Sequence, residues 1–268
     1  HVVGQHELRR EQAPERETWR VRAHRALRQG DAQEFLHHYR RVKALVESPT
    51  HRRAIAAIAK AWIQDRSATH DKTVIASEPE EVRKLNRAIQ RERVKRFGVS
   101  LGGVIMPNGE KIRTGDRVRF AKNSKFMGID AGDMGKVLSV ARSVKNPWRK
   151  KVLVRVEGKR RLGILPKVVT IDTKRYKNLT LGYALLPGQV HAKAKSVLVL
   201  LNPDRASRES VLHQVTRAEK RTKLFSVKSD HVKDVDLLAQ SLAATQQKIL
   251  AHELEQQQKQ SNSMKMTA

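Results

Sequence analysis

The run Val197–Leu201 reads VLVLL, apolar at every position. A strand of that kind is dry on both faces, so it belongs inside a parallel sheet with helices packed on either side. Lys72–Ala76, KTVIA, is a second short strand-like run, and Ser77, Pro79 and Glu80 follow at once. Ser77 and Glu80 have the S-x-x-E spacing of a capping box, which predicts a helix with Val82, Leu85 and Ile89 as its buried stripe. A buried strand feeding straight into a helix is the unit of a parallel α/β sheet.

Between these two runs the pattern changes. Glycines stand at 98, 102, 103, 109, 115, 128, 132 and 135. Val118 and Phe120 alternate with Arg117 and Arg119, and Val152, Val154 and Val156 alternate with Leu153, Arg155 and Glu157. Alternation at that period predicts short, half-exposed antiparallel strands, closed as a small barrel. The expected fold is therefore α/β, with one parallel-sheet domain interrupted by a β-barrel.

The flanks are helical. Trp19, Ala23 and Leu27, then Phe35, Leu36 and Tyr39, fall at helical steps broken at Gly30-Asp31. Ser48-Pro49 reads as an N-cap with proline at the first helical position, opening a helix that buries Ile55, Ile58, Ala59, Trp62 and Ile63. After Val197–Leu201 the pattern predicts a helix over Arg208–Arg221, a short strand Lys223–Val227, and a long helix capped at Ser229-Asp230 and running to Glu255. Gln256–Ala268 is Gln-, Ser- and Lys-rich and is expected to be disordered. The expected division is a basic helical segment (1–70), a split α/β domain (71–97 and 179–230), the barrel (98–178), and a C-terminal helix and tail (231–268).

Charge narrows the function. Lys and Arg outnumber Asp and Glu by 55 to 27, a formal net charge of +28 on 268 residues. That exceeds what solubility needs and makes a polyanion, nucleic acid first, the default partner. There are no cysteines, which excludes disulfides and thiolate metal sites and suits a reducing compartment; a cytoplasmic location is expected. No apolar run reaches membrane-spanning length, so no membrane insertion is expected. The chain begins with His1, as a fragment of a longer protein would.

Chemistry-bearing motifs are scarce. Gly135-Lys136 is followed by Val137 and position 130 is Asp, so the G-x-x-x-x-G-K-[ST] phosphate loop is missing, and no ATPase activity is expected from this chain alone. His37-His38 and the pair His1 and His6 match no metal-ligand spacing, so no metal is expected. The most specific segment is Gly115–Val140, GDRVRFAKNSKFMGIDAGDMGKVLSV. Gly128, Gly132 and Gly135 allow tight turns with positive φ, and Asp116 and Asp133 can bond to their own turns. Arg117, Arg119, Lys122, Lys125 and Lys136 are expected to project and grip a phosphate backbone. Trp148, Arg149 and Lys150 of the basic turn KNPWRKK join them as candidate contacts. Phe120, Phe126, Trp148 and Tyr183 are the candidate stacking platforms for unpaired bases.

Taken in order, these segments resemble a known family. The GDRVRF…MGI…DMGKV stretch is similar to the SH3-like insertion of RecD-type superfamily 1B helicases, and more closely to the helicase part of conjugative relaxases of the TraA/MobA type. VIASEPEEVRKLNRAIQ resembles the strand and helix opening the second RecA-like domain, with Asn86 in the family's L-N position. ELRREQ and Trp19 resemble the end of the first RecA-like domain, and LTLGYA (Leu179–Ala184) the stretch after the insertion. VTRAEKR resembles the motif that carries the arginine finger, which places Arg217 there. The resemblance covers about residues 5–227. It implies a RecA-like domain interrupted by an SH3-like barrel, and DNA binding. It departs at LLPGQVHAKAKS (Leu185–Ser196), where the family has T-x-H-K-x-Q-G. The resemblance puts the phosphate loop and Mg²⁺-binding acids in a first RecA-like domain outside this chain. Either the chain is a fragment, with ATP and Mg²⁺ expected in a full-length parent and Arg217 a finger only with that partner domain, or the helicase fold is vestigial and kept for binding. The other reading of Arg217 is a DNA contact or a structural ion pair.

Three functions fit. The first is a DNA-binding, helicase-like region of a conjugative relaxase, gripping single-stranded DNA. The second is an RNA-binding protein of the KOW or ribosomal type, because GDMGKVLSV…KVLVRVEG also resembles a KOW barrel. The third is a translocation signal read by a type IV secretion coupling protein.

Overall fold

The computed structural model describes residues 18–98, 102–143, 146–161, 164–203, 205–227 and 235–243. It opens with α1 (Trp19–Gln29) and α2 (Ala32–Arg41). They part at Gly30, left-handed at φ 88°, and the Asp31 carboxylate caps α2 by accepting from the Glu34 N–H at 2.8 Å. β1 (Leu45–Ser48), α3 (His51–Gln64), β2 (Lys72–Ile75) and α4 (Pro79–Phe97) follow. A hairpin of β3 (Val104–Ile105) and β4 (Lys111–Ile112) leads into β5 (Arg117–Phe120), β6 (Met134–Ser143), β7 (Asn146–Arg161), β8 (Leu165–Asp172) and β9 (Leu179–Leu181). The chain then returns through β10 (Ala184–Leu185), β11 (Ala194–Leu201), α5 (Arg208–Val215), β12 (Ala218–Val227) and α6 (Val235–Ala243).

The fold is the α/β arrangement expected, a parallel sheet interrupted by an antiparallel one. β1, β12, β11, β2 and β10 form a five-stranded sheet in that order, every pair parallel. β11 sits at its centre, and its side chains serve both layers. Leu198 and Leu200 pack with Ile58 of α3 and Leu85 and Ile89 of α4. Val197, Val199 and Leu201 pack with Leu27 of α1, Phe35 and Leu36 of α2, and Val215 of α5. That two-sided burial is why VLVLL carries no polar residue. The end of α3 is closed by a buried lysine: Lys72 Nζ donates to the Trp62 and Asp65 carbonyls at 2.7 and 2.8 Å and lies 4.0 Å from the Trp62 ring centroid. Burial lowers the Lys72 pKa, and Asp65 opposes the shift.

Several boundaries differ from expectation. The helical stretch expected over 1–70 also supplies β1, which pairs with β12. Pairing with Val227 holds Ser48 extended, so Ser48-Pro49 is not the cap; the Thr50 hydroxyl is, accepting from the Arg53 N–H at 3.2 Å. Ser77 and Glu80 do not form a capping box. Pro79 fixes the first helical residue, which makes Glu78 the N-cap and leaves Ser77 one residue too early. Ser77 Oγ accepts from Gln214 instead, and Glu80 pairs with Arg83. The helix expected to reach Arg221 stops at Val215, because Ala218–Val227 pairs with β11 along its length. The Ser229-Asp230 cap and the tail lie outside the described residues; of that helix, Val235–Ala243 is described.

The insertion is a five-stranded antiparallel sheet in the order β8-β7-β6-β5-β9. Val118, Phe120, Val137, Val152, Val154 and Ile171 are buried on its inner side, as the alternation required. Among the described residues no pairing closes it into a barrel, and β8 and β9 are its edges. Met106, Ile112 and Tyr176 complete that core instead of a further ladder. The turn glycines divide in purpose. Gly128 and Gly132 have positive φ (59° and 97°), whereas Gly135 is needed for space. It pairs with both Val118 and Val156, and a Cβ there would sit 2.9 Å from the Arg155 carbonyl oxygen. Gly135→Ala is expected to destabilise the protein by about 1–3 kcal/mol through overpacking. Gly188→Ala, which meets nothing within 4 Å, is its neutral control, and urea denaturation midpoints separate the two.

Candidate nucleic-acid interface

The motif residues converge first on a joint, not a surface. Asp116, fully buried, accepts hydrogen bonds from Arg93 (2.7 Å), the Tyr183 hydroxyl (2.8 Å), Gln90 (2.5 Å) and the Arg113 backbone N–H (2.7 Å). Burial, with the Asp116 carboxylate next, raises the Tyr183 pKa and keeps its phenol a donor. Asn86 Oδ1 accepts from the Tyr183 and Ala184 N–H groups at 2.9 and 2.8 Å, and its amide donates to the Ala184 carbonyl at 3.1 Å. Asn86 and Gln90 are one turn apart on α4, and Gln90 also donates to the Lys111 carbonyl at 2.7 Å. Trp62 packs edge-on against Tyr183 with centroids 5.0 Å apart. The joint ties α4, the insertion and β10 together.

This joint removes some expected contacts from the surface. Arg117 is 6% exposed; its guanidinium grips Glu157 at 2.8 and 3.1 Å and donates to the Lys72 carbonyl at 2.7 Å. Four of its five N–H donors are taken up within the protein and the side chain is buried, so it does not project toward a phosphate as the sequence suggested. Phe120 and Tyr183 are fully buried and pack the core, so neither is a stacking platform. Arg119 is half-buried. Lys122, Lys125 and Lys136 are exposed as expected, and Phe126 is 99% exposed. Asp116 and Asp133 do bond to their own turns, the second through the Asp130 N–H at 2.8 Å. The side chains of Trp148 and Arg149 lie outside those described.

Two concave surfaces gather cations, with no carboxylate among the described residues that line them. One is a groove of about 640 Å³ lined by Val104, Ile105 and Pro107 and by Lys150, Lys174 and Lys177. Lys150 Nζ is anchored on the Gly103 carbonyl at 2.7 Å. The second is a pocket of about 350 Å³ lined by Arg20, His24, Arg28, Lys193 and Arg217. Burial, helped by the charges of Arg20 and Arg28, holds the His24 pKa down at about 4, so this imidazole is neutral at pH 7. Arg217 stands in the turn between α5 and β12, with Nη2 2.6 Å from His213 Nε2 and Nη1 3.5 Å from the His191 carbonyl. The buried Nε atoms of Arg20 and Arg217, and His24 Nε2, have no hydrogen-bond partner among the described residues. A pocket lined by the four cationic side chains Arg20, Arg28, Lys193 and Arg217 suits an anion of phosphate size.

No protein-family model and no curated protein matches the sequence. Among solved structures, the chain is similar to the Pif1 helicase of Candida albicans, at 13% identity and a TM-score of 0.46, over 88% of this chain and 57% of that one. It is also similar to Bacteroides Pif1 bound to single-stranded DNA, at 12% identity and 0.43, over 82% and 50%. A third is a Pif1 structure from a study of unwinding at forked duplex DNA, at 13% and 0.42, over 82% and 49%. The chain spans about half the length of these helicases.

Sequence reasoning missed Lys174, Lys177, Arg20, Arg28 and Lys193. Arg20, His24 and Arg28 recur every four residues on α1, which is a readable signal for one shared face. The cluster Lys174, Arg175, Lys177 between β8 and β9 was equally visible. Among the described residues no three His, Asp or Glu side chains gather as a metal site, and no helix is long and apolar enough to cross a membrane.

Proposed function

We propose that this chain is a DNA-binding, helicase-like segment that holds single-stranded DNA in the groove beside the β3–β4 hairpin. The observation that carries it is that groove: Lys150, Lys174 and Lys177 line it together with Val104, Ile105 and Pro107, and no acid does among the described residues. An unpaired strand offers both phosphates and bare base faces, which a duplex hides in its stack. The order of the motifs supports placing the segment in a conjugative relaxase, beside a domain that carries the phosphate loop. The pocket at Arg217 suits a phosphate group, and among the described residues no carboxylate lines it for Mg²⁺, so it complements a nucleotide held elsewhere. In that setting Arg217 stabilises phosphoryl charge, and the isolated chain hydrolyses nothing.

Filter binding of single-stranded DNA, duplex DNA and folded RNA across a salt series tests this reading. Preference for the single strand, with affinity falling steeply as salt rises, is the expected result. Tighter binding to folded RNA would make the chain an RNA-binding protein instead. Charge reversal at the exposed Lys122 and Lys125 is expected to weaken binding more than the same change at Lys248 and Lys259. Equal losses would move the contact surface off the insertion.

A further inference from the structure

Phe126 is the anomaly of this surface. It sits in the short turn Lys125–Met127 between β5 and β6 and is 99% exposed. An exposed phenylalanine on a loose loop would be unremarkable, but this turn is fixed from several sides. The Met127 and Ile129 N–H groups both donate to the Ser124 carbonyl, at 3.1 and 3.0 Å, and the Gly128 N–H to the Lys125 carbonyl at 3.0 Å. Ser124 and Ile129 form an antiparallel bridge, with Ser124 N–H donating back at 2.8 Å. Gly128 is left-handed, at φ 59°. Lys167 of β8 clamps the Gly128 carbonyl from across the sheet. The following turn is held as firmly: Lys159 bridges Asp130 and Asp133 at 2.6 and 2.7 Å, and Asn123 accepts from the Ala131 N–H at 2.6 Å. The ring is therefore presented in water by a backbone already paired.

The surroundings indicate what covers it. Lys125 adjoins the ring in sequence, and Lys122 lies one turn before it; both are exposed. The nearest acids, Asp130 and Asp133, are both paired with Lys159. Ile164 and Leu165, 78% and 60% exposed, stand at the start of β8, the strand that Lys167 ties to this turn. A bare aromatic face beside uncompensated cations complements a π-surface that carries negative charge at its rim. We propose that Phe126 is a stacking post: an unpaired nucleobase lies on its ring while Lys122 and Lys125 meet the flanking phosphates. The proposal rests on the single-strand reading above and adds a base contact to it. Since any base offers a π-face, the post adds affinity without sequence preference.

The test uses the whole chain and short single-stranded oligonucleotides carrying one 2-aminopurine at successive positions. Phe126→Ala is expected to bind about tenfold more weakly. Its salt slope stays that of the wild type, because no phosphate contact is lost. The position at which 2-aminopurine fluorescence changes on binding to the wild type goes silent in the variant, and Phe126→Trp restores it. Lys125→Glu does the reverse and flattens the salt slope. As the ring makes no buried contact, the melting temperature of Phe126→Ala should match the wild type, which excludes misfolding. If the wild type binds single strands and Phe126→Ala matches it in affinity and fluorescence, the stacking post is overturned while the single-strand reading stands. If the wild type itself does not bind, both fall. Sedimentation with phosphatidylserine vesicles that depends on Phe126, with DNA affinity unchanged, would assign the patch to a lipid surface and also overturn the proposal.

Discussion

Asp116→Ala is expected to cost about 3–5 kcal/mol of unfolding free energy, the range for removing one partner of a buried charged pair. The carboxylate is fully buried and receives four donors, from Arg93, Tyr183, Gln90 and the Arg113 backbone. Alanine leaves the Arg93 guanidinium, 12% exposed, facing no counter-charge. It also strands a phenol that burial keeps protonated and an amide that holds the insertion against α4. Asp116→Asn, which keeps one acceptor oxygen but turns an NH2 toward donors, should fall between the two. Chemical denaturation gives the difference. With domains commonly stable by about 5–15 kcal/mol, the alanine variant should be largely unfolded on warming. A loss under about 1 kcal/mol, the worth of one ordinary hydrogen bond, would mean that the joint is not a stability element.

What the sequence disclosed and what it hid follow from the range of the interactions involved. Burial on both faces of β11 and the helical break at Gly30 are local patterns, and both were legible in VLVLL and in the step from Leu27 to Phe35. Asn86, Asp116 and Tyr183 were each visible as motif positions, but their meeting joins segments up to 98 residues apart. Arg117 shows the limit clearly. Alternation with Val118 placed it on the outer face of a strand, yet Glu157 and the Lys72 carbonyl stand across that face and bury it. A period of two states which side a residue faces and is silent about what covers that side. β1 escaped notice for a related reason: LVES is short and polar at one end, and nothing local links it to its partner residues Leu224–Val227, which were legible as a strand but not as its neighbour. The groove is assembled from β3, β7 and the β8–β9 turn, so none of those segments announced it alone.

Reversing Lys150, Lys174 and Lys177 to Glu together is expected to weaken single-strand binding about a hundredfold at low salt, the largest effect on binding predicted for this surface. Each lysine that meets a phosphate releases counterions, so the triple variant should also lower the slope of log affinity against log salt by about 2. Lys150 also supports the Gly103 carbonyl, so part of its loss is structural. The double variant Lys174→Glu, Lys177→Glu leaves that bond intact and should retain most of the effect. Lys60, exposed on α3, supplies the control with the same charge change on another element. Because charge reversal spares the Val104, Ile105 and Pro107 wall, base contacts survive and the residual binding becomes less salt-dependent, not absent. If Lys60→Glu, Arg66→Glu and the groove double variant weaken binding alike, the affinity comes from net charge spread over the molecule. The groove would then hold nothing in particular, and the single-strand reading would lose the observation on which it stands.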